Sequence, residues 1–431
     1  MLGSFSNIFK IGDLRRKVIF TLLMLVVFRI GTHVPVPNIN VSLLQGNESN
    51  FLGLLDTFSG GALLKFSIFA MGIMPYITSS IIMQLLSMDV VPKFTQWSKE
   101  GEAGRRKISQ VTRYGAIVLG FIQSLGMTYG FNRMMNGLVT DTSISSFLLI
   151  ALTLTAGTAF LLWLGEQITE KGIGNGISII IMAGIVANIP SGVKVVYDMQ
   201  FGAPNANMFF GIINILLILV AVIALIVGII YMQQGIRKIP VQYAKKVVGR
   251  KMFGGQSSHI PLKINSAGVI PVIFAVSLVM FPSTIASFWL SSGEEGVANW
   301  IYTNFQINSP LGMTLYALMI IGFTYFYTFV QMNPAQMAEN MKKNGGYIPG
   351  IRPGKNTEEY ITRTLYRLTF TGAIFLTAIS LLPFVFGKIF GLPDSIYIGG
   401  TSLLIMIGVV LDTMKQIESQ LIQRHYQGFI K

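Results

Sequence analysis

Cysteine is absent from this sequence of 431 residues, so disulfide bonds and thiolate metal sites are excluded. Histidine is scarce, and His33, His259 and His425 stand too far apart to suggest a metal cluster. Neither the HExxH pattern of zinc proteases nor a nucleotide-binding P-loop occurs. We therefore expect a protein that is not an enzyme and that needs no metal or other cofactor.

Charged side chains are also few, at 12% of the residues, whereas 52% of the residues are hydrophobic. The apolar residues form blocks of about twenty, the length that a helix needs to cross a hydrocarbon core about 30 Å thick. Segments that alternate apolar and polar residues, as in a membrane β-barrel, are missing. This composition predicts an all-α polytopic membrane protein.

The apolar blocks and their polar flanks predict ten transmembrane spans. The first block follows a basic triplet, as a signal peptide does, but it has no small-x-small cleavage site and many spans follow it, so we expect a retained helix. The predicted spans are approximately 18–34, 67–88, 114–132, 146–165, 176–190, 208–232, 266–290, 310–331, 364–387 and 397–414.

Lysine and arginine are distributed unevenly between the two sides of these spans. Of the 32 lysines and arginines, 27 fall in the terminal and alternate connecting segments on one side, and only five fall elsewhere. Positive charge accumulates on the cytoplasmic side of membrane proteins. Both termini are therefore predicted to be cytoplasmic.

Ten spans divide into two sets of five. Because five is odd, two related halves would have opposite orientations in the membrane, and in such inverted repeats the working site lies between the halves near the midplane. The predicted units are residues 1–190, an external connector at 191–207, and residues 208–431 with large cytoplasmic loops at 233–265 and 332–363.

Two of the spans read as compromised helices. Span two is interrupted by Gly72 and Pro75. Span five has an apolar run of only thirteen residues, 177–189, before Pro190. A run of that length is too short to cross the membrane comfortably.

The segment between spans one and two, "FLGLLDTFSGGALLKFSIFAMGIMPY", is apolar but broken by Asp56 and by the pair Gly60 and Gly61. Two short amphipathic pieces joined by glycines suit a re-entrant helix that folds back into the protein, where irregular backbone is tolerated. The alternative is a helix that lies on the external membrane surface. The residues alone leave both possibilities open.

Isoleucines stand four residues apart in both compromised spans, as Ile77 and Ile81 in span two and as Ile181 and Ile185 in span five. Residues at this spacing share one face of a helix, and β-branched side chains are stiff. Such faces suit a hydrophobic constriction that excludes water, but they equally suit ordinary packing or lipid contact. Spacing does not decide between these functions.

Charged residues within the spans are scarce, and Arg29 is the clearest example. Glu166 and Asp412 lie at cytoplasmic ends. Ion-coupled transporters usually need ionisable groups near the midplane, so a secondary transporter with inverted repeats is disfavoured. A membrane scaffold without a pore would have no need of the apolar segment after span one.

The two large cytoplasmic loops are basic and too long to be simple connectors. A basic surface suits RNA phosphates or an acidic protein partner, although ordinary positive-inside charge explains the sign equally well. The candidate partner-binding residues are Arg237, Lys238, Lys245, Lys246, Arg250, Lys251 and Arg352.

Several stretches in order along nearly the whole chain resemble the bacterial SecY family of protein-conducting channel subunits. They are "GGALLKFSIFAMGIMPYITSSIIMQLL", "EGEAGRRKISQ", "WLGEQITEKGIGNGISIII", "HIPLKINSAGVIPVIFA", "YIPGIRPGKNT" and "IGGTSLLI". The resemblance implies ten helices in two inverted five-helix halves with a re-entrant plug helix, an hourglass pore, and a lateral opening to lipid between spans 2–3 and 7–8.

The resemblance also implies roles for individual residues. An aliphatic ring at the waist of the pore would comprise Ile77, Ile81, Ile181, Ile185, Leu278 and Ile405, and Leu278 departs from an all-isoleucine ring. A plug segment at about 52–64 would close the pore and would include Leu54, Leu55, Phe58, Gly60, Gly61 and Leu64.

The function implied by the resemblance is passive conduction of unfolded secretory polypeptides across the plasma membrane, with sideways release of apolar segments into lipid. The implied partners are the small subunits SecE and SecG, the motor ATPase SecA, the ribosome with its rRNA and proteins, polypeptides that carry signal sequences, and membrane lipid. SecA and the ribosome would dock on the basic loops.

Overall fold

The computed structural model describes residues 11–43, 56, 59–87, 90–135, 137–201, 208–243, 246–248, 251–253, 257–290, 296–307, 309–390 and 400–427. The helices within these ranges are α1 (Gly12–Gly31), α2 (Met74–Leu86), α3 (Pro92–Lys99), α4 (Glu102–Met134), α5 (Ile144–Lys171), α6 (Gly176–Phe201), α7 (Met208–Gln234), α8 (Ile270–Leu290), α9 (Val297–Asn304), α10 (Pro310–Met332), α11 (Pro334–Lys343), α12 (Lys355–Phe390) and α13 (Gly400–Gln427), and a 3₁₀ turn lies at Val41–Leu43. The strands are β1 (Ile236–Tyr243), β2 (Lys246–Val248), β3 (Lys251–Phe253), β4 (Ser257–Lys263) and β5 (Gly346–Tyr347).

The ten predicted spans coincide in order with ten of these helices. The matching helices are α1, α2, α4, α5, α6, α7, α8, α10, α12 and α13. Within the described ranges, five helical segments are long and apolar enough to cross a membrane by length and composition alone, and these are α5, α6, α7, α10 with α11, and α12. The pattern of apolar blocks thus located the long helices.

The short helix is α2, not α6. The prediction that span five ends near Pro190 is wrong, because α6 runs for 26 residues with this proline inside it. Proline removes one backbone hydrogen bond but does not always end a helix. Residues 191–201, predicted as connector, are therefore helical, and the remainder of the predicted connector lies outside the described residues.

Helix α2 has only 13 residues, or about 20 Å at 1.5 Å per residue, which is too short to cross the membrane alone. The predicted start of span two at residue 67 is wrong, since Ser67 forms an isolated β-bridge and residues 68–73 form turns. Gly72 adopts φ +55° there, and Pro75 stands in the first turn of α2, where its missing N–H costs nothing. The predicted interruption is thus a helix start.

The three largest clusters of the hydrophobic core each draw mainly on one half of the chain, although a small cluster joins Leu14 to Ile417. Two clusters of buried residues draw on residues 24–183, with Val409 as a partly buried neighbour of one of them. A third cluster draws on residues 222–411. This division agrees with the predicted two-half organisation.

The two large loops predicted at 233–265 and 332–363 fold together, which the sequence reading did not predict. Strand β1 pairs antiparallel with β4 in the first loop, and its end pairs with β5 of the second loop at Gln242 and Tyr347. Ile239 and Val241 alternate inward on β1 and pack in a cluster with Ile361 of α12. The predicted end of the second loop at 363 is wrong, because α12 begins at Lys355.

Candidate functional site

The part of the plug segment that the structure describes is buried. Asp56, Ser59 and Gly60 are buried, Gly61 and Leu64 are half-buried, and Leu54, Leu55 and Phe58 lie outside the described residues. A helix lying on the membrane surface would expose one face along its length. Residues 59–63 are all buried except Gly61, which is half-buried. This burial favours the re-entrant alternative over the surface helix.

A network of hydrogen bonds centred on Asp56 shapes this segment. The Asp56 Oδ1 atom accepts hydrogen bonds from the backbone N–H groups of Leu63 and Leu64, both at 3.0 Å, and lies 3.3 Å from the donating Ser59 hydroxyl. Gly60 and Gly61 reverse the chain with φ +73° and +83°, a backbone region that residues with a Cβ rarely adopt. The carboxylate thus satisfies the backbone groups of a buried turn.

The reversal in the plug segment is seated against α6. A Cβ built on Gly60 would lie 2.7 Å from the Cα of Gly184, so this approach requires glycine at position 60. Gly184 stands next to Ile185 and three residues after Ile181 in α6. The plug segment therefore contacts the helix that carries two of the predicted ring residues, at their level along it.

Hydrogen bonds from two helices also reach the reversal. Arg29 of α1 donates from Nη1 to the Gly60 carbonyl at 2.9 Å. Asn188 of α6 donates from Nδ2 to the Asp56 carbonyl at 3.4 Å. Sequence reasoning missed these two contacts, although a lone arginine and an asparagine in apolar helices are the signals that mark them.

The predicted ring residues fall into three groups. Ile77 and Ile181 pack against one buried cluster of the first half, which also includes Ile73 and Ile180. Ile185 is buried, at 4% exposure. The structure thus brings together at least one residue from each of the two predicted isoleucine pairs, on α2 and α6.

The other ring candidates face the second half of the chain. Ile405 is 4% exposed and lines a small cavity with Val272, Ile273 and Val276 of α8. Leu278 is 47% exposed on the same helix. Ile405 and α8 are therefore neighbours, whereas Leu278 contributes to none of the buried clusters.

Ile81 lines an apolar cleft between α2 of the first half and α8 and α10 of the second. The lining of this cleft consists of Ile81, Gln84, Leu85, Phe274, Phe323, Phe326, Tyr327 and Val330. Gln84 and Tyr327 place two polar side chains in this otherwise apolar lining. Sequence reasoning missed this pair, whose signal is again a polar side chain within an apolar helix.

The basic candidates lie on and around the sheet formed by β4, β1 and β5. Arg237 and Lys238 are exposed on β1. Lys246 and Lys251 occupy the short β2–β3 ladder, while Lys245 and Arg250 lie outside the described residues. The pairing of β1 with β5 joins the two loops into one structure.

Arg352 is exposed in the turn between β5 and α12. Its backbone carbonyl accepts a hydrogen bond from the Thr357 hydroxyl at 2.9 Å, so the turn is fixed through the backbone and the side chain is left outside. Gly350 and Gly354 take φ +82° and +109° on either side. The guanidinium is thus presented by a structured turn.

The ion pair of Lys343 and Glu339 near this surface is exposed. Lys343 lies 2.8 Å from Glu339, and this hydrogen bond holds the pKa of Glu339 below its ordinary value. No group of three or more acidic, histidine or cysteine side chains within the described residues is arranged to hold a metal ion. The described residues of the site can therefore interact with a ligand through apolar contact, backbone hydrogen bonds and positive charge.

Comparison with known proteins identifies relatives of the whole chain. A model of the SecY family matches residues 67–414. The protein translocase subunit SecY of Halalkalibacterium halodurans is 62% identical over 432 residues, and the match covers 100% of both chains. A relative this similar over its full length shares the fold and the order of the helices.

Two solved structures share the fold. One is reported for the plug domain of a SecY protein, which stabilises the closed state of the translocation channel and maintains a membrane seal, with a TM-score of 0.58, 18% identity, and coverage of 95% of this chain and 92% of that one. The other is Sec61 in a canine ribosome–channel complex from the endoplasmic reticulum, with a TM-score of 0.57, 17% identity, and coverage of 95% and 93%. These likenesses confirm the predicted helical membrane fold.

Proposed function

The chain belongs to the SecY family of protein translocase subunits, and we propose that it forms the channel through which unfolded polypeptides cross the plasma membrane. The observation that carries this proposal is the buried plug segment, seated against α6 beside Ile181 and Ile185. A scaffold without a pore would have no reason to place a broken apolar segment there.

In the closed channel, the aliphatic ring and the plug segment act together. The ring of Ile77, Ile81, Ile181, Ile185, Leu278 and Ile405 narrows the waist with side chains that form no hydrogen bonds. A narrow apolar constriction loses its water and so blocks ions. In the open channel, the same side chains surround an extended chain of any sequence without binding it specifically.

Release of apolar segments into lipid uses the cleft between α2, α8 and α10. The cleft separates the two halves of the chain and is lined mainly by phenylalanine and aliphatic side chains. Leu, Ile, Phe and Val each favour insertion by about 0.3–0.6 kcal/mol at the centre of a helix. A segment of about twenty such residues therefore gains several kcal/mol by leaving sideways.

The energy for transport comes from partners, since the chain itself is proposed to be non-enzymatic. SecA or a translating ribosome docks on the exposed basic residues of the cytoplasmic sheet and the Arg352 turn. A related fold bound to a ribosome, the Sec61 complex, supports the ribosome as one of these partners. SecE and SecG clasp the helices in the membrane, and both termini of this chain lie in the cytoplasm.

An ion-coupled transporter is the rival function, and Asp56 is the residue that it would need. A coupling carboxylate must be free to exchange a proton or an ion. The Asp56 carboxylate instead accepts two backbone N–H groups that would be left unpaired if it changed partners. Its structural role therefore favours the channel.

Purification of the complex and reconstitution into planar bilayers test the proposed function. We expect two small membrane subunits to co-purify, and we expect ion conductance to appear when a precursor polypeptide is stalled in the channel by SecA and ATP. The resting complex should be sealed. Conductance that is indifferent to the stalled precursor would refute the proposal.

A further inference from the structure

Arg29 is a cation that the channel function as described so far does not use. The eleven residues before it, 18–28, are uncharged, so its charge stands at the end of an apolar stretch of α1. Its Nη1 atom donates to the carbonyl of Gly60, 31 residues further along the chain, at 2.9 Å. A charge at this position costs energy in the membrane unless it has a partner.

Asn188 makes the corresponding contact from the opposite helix. Its side-chain amide donates to the Asp56 carbonyl, which also accepts the Gly61 N–H at 3.1 Å and so closes the reversal. At 3.4 Å the Asn188 bond is the longer and weaker of the two inter-helix contacts. The Oδ1 atom of Asn188 faces Gly61, where a built Cβ would lie 3.4 Å away.

Both acceptors are backbone carbonyls of the plug segment. The two bonds consequently depend on where the segment lies and not on which side chains it carries. Moving the segment away from both α1 and α6 breaks both bonds and also separates Gly60 from Gly184. Bonds present in only one of two states stabilise that state by their full net free energy.

We propose that Arg29 and Asn188 are positioning residues that hold the plug segment in its closed seat, with Arg29 as the main latch. This inference rests on the proposed role of residues 52–64 as a plug. A hydrogen bond to a charged group is stronger than one between neutral groups. Loss of the Arg29 bond should therefore raise the resting open population about tenfold or more, and loss of the Asn188 bond should raise it by a few-fold.

The test compares Arg29→Met and Asn188→Ala with the unsubstituted complex, purified with its co-purifying subunits. The first measurement is resting ion conductance in planar bilayers, and the second is export of a reporter whose signal sequence is defective. Both should rise in both variants, with the larger rise for Arg29→Met. Arg29→Lys keeps a cationic donor and should restore most of the seal.

A matched control separates the latch from a general effect of removing charge. Lys194→Met removes an exposed cation from α6, further along the same helix as Asn188, and should leave resting conductance unchanged. Equal melting temperatures of the detergent-solubilised complexes would show that the variants are folded. The latch would be overturned if the Arg29→Met channel stayed sealed to ions at rest and did not export the reporter with the defective signal sequence. Equal resting conductance in Arg29→Lys and Arg29→Met would overturn it as well.

Failure of the latch and failure of the channel function give different results. If the stalled precursor opens the unsubstituted complex to ions but Arg29→Met is sealed at rest, the channel stands and the latch is wrong. If the precursor opens neither complex, the proposed function itself is wrong.

Discussion

Gly60 and Gly184 lie so close together that a single methyl group on Gly60 would stand 2.7 Å from the Cα of Gly184. The obstruction is backbone, which cannot swing aside as a flexible side chain does. The contact therefore fixes the distance between the plug segment and α6, and any enlargement at Gly60 must move one of them.

Gly60→Ala is expected to loosen the closed state for this reason. The substituted residue would meet α6 and would also have to adopt φ +73°, so resting ion conductance should increase. Gly137→Ala is the matched control, since Gly137 has φ +91° with open space around it and reports backbone strain alone. Equal leak in the two variants would show that the contact with α6 has no part in the seal.

The aliphatic ring is tested by replacing Ile181 and Ile185 with serine. Serine offers hydrogen bonds to water and is smaller, so the constriction should become wetted and the resting conductance should rise severalfold. Ile223→Ser on α7 serves as control, because that isoleucine is 52% exposed on a helix outside the ring. If the double variant remained impermeable to ions at rest, Ile181 and Ile185 would not be part of the constriction.

Charge reversal of Arg352 should weaken export driven by SecA or by the ribosome. The side chain is exposed, whereas the turn is held by the Arg352 carbonyl, so Arg352→Glu should assemble normally. Attraction between surface charges is screened by salt, so the defect should depend on ionic strength. Arg352→Lys keeps the charge and should retain more activity than Arg352→Glu. Normal export by Arg352→Glu would mean that the loop charges set the membrane orientation of the chain and do not bind SecA or the ribosome.

Gln84 and Tyr327 line the same cleft, and we expect a hydrogen bond between their side chains to set how easily apolar segments leave through it. The net worth of such a bond is about 0.5–1.5 kcal/mol. That equals about one to five leucines on the insertion scale. Tyr327→Phe should therefore let segments with about that many fewer leucines integrate into the membrane, as measured by protease protection of a model segment.

Tyr325→Phe on the same helix is the control for this prediction. The Tyr325 hydroxyl donates to the Tyr366 carbonyl within the second half of the chain, so its loss should leave the threshold unchanged. Adding Gln84→Leu to Tyr327→Phe should shift the threshold less than the sum of the single changes. Additive shifts would mean that the two side chains do not act as a pair across the cleft.

The sequence predicted the helices better than their ends. Apolar blocks identified each long helix, because the hydrocarbon core demands length and internal backbone hydrogen bonding from every span. Pro190 was misread as a boundary, because a local rule on proline was applied where the surrounding helix tolerates the missing bond. The sheet was missed, since the alternation at Ile239 and Val241 is short and lies in a basic loop.

The candidate site was predictable only in part. The broken segment near Asp56, Gly60 and Gly61 was visible, and its burial agrees with the re-entrant prediction. The ring residues depended on the family resemblance, because an isoleucine pair in a helix looks the same whether it lines a pore or packs against a neighbour. Asn188 gave no sequence signal for its partner, and in the fold its amide donates to the Asp56 carbonyl.

The sequence by itself determined the apolar helices, the predicted cytoplasmic side and the positions of the breaks, because these follow from length, charge and backbone chemistry in a lipid solvent. Tertiary structure alone decided which polar groups meet. Arg29 reaches Gly60, and Gln84 and Tyr327 line one cleft, across distances in the chain that no periodicity records. The reason is physical: a helix pattern fixes which residues share a face, but packing against other helices chooses the neighbour of that face.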